Sequence, residues 1–167
     1  VLIENFSKEA QAEVDRMFKE DGCVVSPRIE KFLLDRVELI PDSLRGLKIL
    51  VDRYGAENIF IVSRVDAEHV ESNRTLMRII GLCAKTGLLE KNIYFVEKRG
   101  DKVEVCKRLG ITSHIDDRGE VLSHMCGQSS HLVWFNPPKI DIEQWSEKLG
   151  REVVRVRGWE MLIPLLG

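Results

Sequence analysis

The sequence predicts an α/β fold: a parallel sheet flanked by helices, with a small helical N-terminal segment. Two observations predict it. From about residue 43, short apolar runs rich in β-branched residues alternate with stretches of helical periodicity, the pattern of βα units and hence of a parallel sheet covered on both faces. Residues 1–42 differ in character and read as helix, which makes them a candidate lid or insertion beside an α/β core at 43–167.

Along the chain, "SKEAQAEVDRMFKE" places Ala10, Val14, Met17 and Phe18 at helical spacing, and "PRIEKFLLDRV" reads as a second helix. "DSLRGLKILVDRYG" sets Leu44, Leu47, Leu50 and Val51 on one helical face, with Asp42 or Ser43 to cap it and Gly55 to end it. "NIFIVS" is apolar and too short for a helix, so it predicts a buried strand. Residues 66–87 read as one helix with Asp66 as its cap, and "KNIYFVEK" as the next strand. "DKVEVCKRLG" is a short helix opened by Asp101 and closed by Gly110. "SHID", "HLVWFN" and "EVVRV" complete the strands, with "DIEQWSEKLG" as the helix between the last two.

Composition bounds the function. The chain has 167 residues, 44% of them hydrophobic and 31% charged, as in a single globular domain. A formal net charge of -2 gives no electrostatic reason to expect nucleic acid or an anionic membrane as partner. No apolar run approaches the ~20 residues that cross a bilayer, and the start "VLIENFSKEA" is unlike a secretory signal. Cys23, Cys83, Cys106 and Cys126 are far apart and form no C-x-x-C pair. Free core thiols in a reducing, cytoplasmic compartment are the expectation.

Polar residues come after three successive strands. Ser63 ends "NIFIVS" with Arg64 next, Lys102 lies in the helix after "KNIYFVEK", and Asp116 with Asp117 ends "SHIDD". Ligands of a parallel sheet bind outside the carboxyl ends of its strands, so these groups are expected to converge there. Magnesium favours one or two carboxylates and leaves its other positions to water and phosphate oxygens. A serine hydroxyl and a lysine can hold those same phosphate oxygens. Taken singly, the serine reads as a turn residue, the lysine as a surface charge and the aspartate pair as turn chemistry. Their order on consecutive strand ends is what points to a site.

With "IFIVSRV", "RGDKVEVCKRLGI" and "TSHIDDRGEVL" in that order, the segment from about Pro41 to Leu166 resembles a phosphatase-like domain of the haloacid dehalogenase superfamily. The three stretches match its second, third and fourth motifs. The resemblance implies a Rossmann-like sheet, a Mg²⁺ cofactor and hydrolysis of a phosphorylated small molecule or other phosphate-bearing substrate through an aspartyl-phosphate. It implies that Ser63 binds the transferring phosphoryl group, that Lys102 neutralises it, and that Asp116 and Asp117 position the metal. Arg64 becomes a candidate substrate contact, as do Arg28 and Arg36 if residues 7–40 form a lid. The receiver domains of response regulators use similar parts, but there the acidic pair comes early and the lysine last.

The superfamily's first motif, Asp-x-Asp, supplies a nucleophile and an acid/base, and the sequence does not contain it. "FKEDGCVV" keeps Asp21 and Gly22 but has Lys19 at the nucleophile, and "VLIENFS" offers Glu4 and Phe6. The favoured alignment puts "VLIENF" immediately after the motif, with residues 7–40 as the insertion behind it. Two readings result: a Mg²⁺-dependent phosphohydrolase whose nucleophile lies upstream, or a pseudo-phosphatase that serves as a binding or structural subunit with a protein partner.

Other features are weaker. His124, Cys126 and His131 are too irregularly spaced, in an expected loop, to read as a transition-metal site. His114 is expected to be turned in part away from Asp117 or Asp116, as a packed or hydrogen-bonded structural histidine. Trp134, Trp145 and Trp159 are expected in the core, and Arg99 and Arg118 flank the aspartates and can offset them.

Overall fold

In the computed structural model, which describes residues 2–5, 7–22 and 25–166, the chain is a mixed α/β protein that divides into two units, Leu2–Phe95 and Val96 onward. Phe6 and Cys23, and the side chain of Glu4, lie outside the described set.

In the first unit, β1 (Ile3–Asn5) pairs antiparallel with β2 (Glu38–Leu39). Between them run α1 (Lys8–Glu20) and α2 (Pro27–Arg36). Ser7 caps α1 by accepting the Ala10 N–H at 3.1 Å, and Ser26 caps α2 by accepting that of Ile29 at 3.3 Å. Ala10, Val14, Met17 and Phe18, the expected apolar face of α1, are all buried. Then come α3 (Ser43–Tyr54), β3 (Ile61–Arg64), α4 (Val70–Ile79), α5 (Leu82–Thr86) and β4 (Ile93–Val96). Strands β3 and β4 are neighbours in a two-stranded sheet. Val14, Met17, Ile29 and Leu33 share a core with Leu47, Val51, Leu76 and Leu82. The helical N-terminal segment therefore packs against the helices that come after it, by burial of complementary apolar faces.

Two local expectations differ. Residues 66–87 form α4 and α5, preceded by a short 3₁₀ turn, instead of one helix. Gly81, at φ 71°, takes the left-handed conformation that stops α4. Asp42 precedes α3 in a left-handed conformation of its own and gives no side-chain cap.

The second unit contains α6 (Arg99–Leu109), β5 (Ser113–Asp116), α7 (Gly119–Met125), β6 (His131–Phe135), α8 (Lys139–Leu149), β7 (Val153–Val156) and α9 (Trp159–Leu162). Its sheet is parallel, in the order β5-β6-β7. Register pairs Asp116 with Trp134 and Trp134 with Arg155. Leu132, Trp134 and Phe135 of the central strand are buried together with Val103, Val121, Leu122, Val156 and Trp159. The rings of Phe135 and Trp159 lie 5.6 Å apart. Among the described residues no helix is long and apolar enough to cross a membrane, and Cys83, Cys106 and Cys126 are free thiols.

Candidate functional site

Lys102 closes the first turn of α6, and Asp116 is the last residue of β5. Their side chains form an ion pair, Lys102 Nζ donating to Asp116 Oδ2 at 2.8 Å, with exposures of only 12% and 4%. The local geometry explains why they meet. Lys102 and Cys106 are four residues apart and share one face of α6, about 6 Å apart along its axis. His114 and Asp116 are two apart and share one face of β5, at about 6.6 Å. The two spacings match, so the helix and strand meet as two rungs: Lys102 with Asp116, and Cys106 with His114, whose Nδ1 is 3.8 Å from the cysteine Sγ.

His114 links the rungs, because its Nε2 lies 3.5 Å from Asp116 Oδ2. It faces Asp116 because side chains two apart on a strand point the same way, so the expectation that it turns partly away from Asp116 does not hold. The other carboxylate oxygen of Asp116, Oδ1, accepts the Arg118 backbone N–H at 2.9 Å. Burial alone would raise the Asp116 carboxyl, but the His114 imidazole and the Lys102 ammonium outweigh it and hold it well below the usual carboxylate range. Burial alone would lower His114, yet the Asp116 carboxylate, followed by the Cys106 contact, raises it to about 9.

Asp117 differs from its neighbour. Its side chain is 41% exposed and its carboxylate lies 3.4 Å from Arg118 Nε. Its backbone is held from the sheet, since Trp134 Nε1 donates to the Asp117 carbonyl at 3.2 Å. Arg118 also reaches Asp141 of α8, at 3.6 Å. Asp141 is itself buried and accepts the N–H of Gly119, the first residue of α7, at 3.0 Å. Gly119 is required by close approach: a Cβ there would lie 2.6 Å from the Cβ and Cγ of Trp145. The turn that carries the two aspartates is thus fastened to β6 on one side and α8 on the other. Arg99 pairs with Glu120 at 3.3 Å, so of the two flanking arginines it is Arg118 that offsets an aspartate.

Ser63 and Arg64 end β3 in the first unit, where Arg64 lies 2.9 Å from Asp66. Arg28 pairs with Glu20 at 3.2 Å and Arg36 stacks over Phe32. The structure brings together Lys102 and Asp116, with Asp117 beside them. Sequence reasoning missed two parts of the site. One is His114 with Cys106, signalled by the i, i+2 and i, i+4 spacings. The other is α7 with its distant cap Asp141, for which a glycine-led, seven-residue helix leaves almost no signal.

No protein-family model, curated protein or solved structure matches this chain. Two adjacent carboxylates are a donor set of the size that Mg²⁺ uses. Asp117 is the one open to solvent, while both oxygens of Asp116 are engaged by protein donors. Of the two carboxylates, Asp117 is therefore the one with room for a cation, and Asp116 fixes the turn that carries it. Among the described residues no three His, Cys, Asp or Glu side chains gather as a metal-binding group, His124, Cys126 and His131 included.

Proposed function

We propose that the second unit carries a magnesium-assisted site for phosphate esters, of the kind used by phosphohydrolases of the haloacid dehalogenase superfamily. One observation carries this reading: the lysine behind one strand and the aspartate ending the next, 14 residues apart, meet in a largely buried 2.8 Å ion pair. A largely buried lysine ammonium beside a fixed carboxylate can act as a point charge for a phosphoryl oxygen, and Asp116 keeps it from being a lone, poorly solvated cation. Asp117 would hold magnesium, with Asp116 setting its position. When bound, the ion would supply further positive charge to the phosphoryl oxygens. The resemblance also assigns Ser63 to the phosphoryl group and Arg64 to the substrate; the reading of Lys102, Asp116 and Asp117 stands without them.

Hydrolysis through an aspartyl-phosphate needs a nucleophile and an acid/base in addition, and no Asp-x-Asp occurs in these 167 residues. That favours a second reading, in which the same site binds a phosphate ester without turning it over and the protein works as a binding subunit. The test is p-nitrophenyl phosphate hydrolysis by the native polypeptide, with and without Mg²⁺, beside Asp116→Asn. Turnover that requires Mg²⁺ and is lost in the variant supports the enzyme. Mg²⁺-dependent binding without turnover supports the binding subunit. Turnover that persists in Asp116→Asn, or the absence of both binding and turnover, refutes the site.

A further inference from the structure

We propose that His114 is a positioning residue, holding the Asp116 carboxylate toward Lys102 while Cys106 steadies its ring from the far side. The assignment rests on the reading of Lys102 and Asp116 as the working pair, but it concerns how that pair is held.

An imidazole at 10% side-chain exposure is costly where an apolar residue would pack, unless its nitrogens are used. Each of them faces one partner. Nδ1 lies 3.8 Å from Cys106 Sγ, and Nε2 lies 3.5 Å from Asp116 Oδ2. The second contact is longer than a good hydrogen bond of about 3.0 Å, so Nε2 is a buried polar atom with no hydrogen-bond partner among the described residues. The oxygen it faces is the one that Lys102 engages at 2.8 Å.

This arrangement has a consequence for ligand binding. An ammonium that turns toward a phosphate releases Oδ2, and a buried carboxylate oxygen left without a donor is expensive. Among the described residues His114 is the other basic group against Asp116. A small rotation would close its contact and keep the carboxylate in place while Lys102 is used elsewhere. A residue that only fills space would not need a nitrogen there, and phenylalanine would serve equally well.

The test reads Lys102 directly, in the full chain without phosphate or metal. Its side-chain ¹⁵Nζ resonance, identified by its loss in Lys102→Met, is recorded in wild type, His114→Phe and His114→Gln. Positioning predicts that the phenylalanine variant moves the resonance toward that of solvent-exposed lysines. Glutamine, which keeps a planar N–H donor, is expected to restore at least half of that shift. An unchanged resonance in a folded His114→Phe protein overturns the proposal, and so do equal shifts in both variants. If His114→Phe does not fold, His114→Leu takes its place as the variant without a donor and is read in the same way against His114→Gln. Phosphate binding is measured separately, so failure of the phosphate-ester reading and failure of this positioning role are distinguishable.

Discussion

Replacing Lys102 with methionine keeps the length of the side chain and removes its charge, leaving Asp116 buried without its ammonium. Breaking a buried ion pair from one side costs about 3–5 kcal/mol, because the remaining charge is uncompensated. Asp116 keeps the Arg118 N–H at 2.9 Å and His114 at 3.5 Å, which places the expected loss at the lower end, about 3 kcal/mol. Removing both partners behaves differently. Lys102→Met/Asp116→Leu leaves no buried charge, and its main residual cost is the unpaired Arg118 N–H, about 1 kcal/mol. The double variant is therefore expected to be more stable than Lys102→Met alone. Urea unfolding of the four proteins in the cycle, with m-values compared to confirm a common transition, gives the coupling energy. A loss below about 1 kcal/mol in Lys102→Met, within the range of exposed pairs, would refute the buried pair as a working interaction.

Further predictions concern the same unit and its neighbour. The raised imidazole of His114 stabilises the fold fully below its ordinary value of 6.5, and that contribution is lost as pH rises through about 9. The depressed Asp116 carboxyl acts oppositely: its contribution is present above the ordinary 3.8 and fades as pH falls below it. A pH series of urea midpoints is expected to show both branches, with the alkaline one absent in His114→Phe. Gly119→Ala forces a Cβ to within 2.6 Å of Trp145 and is expected to cost about 1–3 kcal/mol by overpacking, read as a lower thermal midpoint. Leu33→Ala empties a fully buried position on α2 and is expected to cost about 2–5 kcal/mol; a change below about 0.5 kcal/mol would show that α2 does not share the core of the first unit.

Strands and helices with clean apolar patterns were legible from residues alone. "SHID" corresponds to β5, and "HLVWFN" and "EVVRV" contain β6 and β7; the central strand β6 is mostly buried and reads as a continuous apolar run, as expected of an inner parallel strand. The break between α4 and α5 was not legible. Gly81 sits inside a sustained helical pattern, and its left-handed turn is a choice of the tertiary fold. At the site, the meeting of Lys102 and Asp116 does not come from one shared sheet edge: β4 pairs with β3, β5 begins a separate sheet with β6 and β7, and the two side chains meet because α6 lies against β5. The role of His114 could not be read from strand alternation alone. It depends on how α6 rides over β5, which aligns a helical repeat with a strand repeat.

A phosphate-ester site at Lys102, Asp116 and Asp117 is the central claim. The most direct measurement is an NMR titration of the 167-residue protein with phenyl phosphate in the presence and absence of MgCl₂, tracking the Lys102 Nζ resonance and the backbone amides of residues 116–119. Such a site predicts saturable shifts at Lys102 and Asp117 that deepen with Mg²⁺ and vanish in Asp117→Asn. Shifts confined to other residues, or none at millimolar ester, would contradict it.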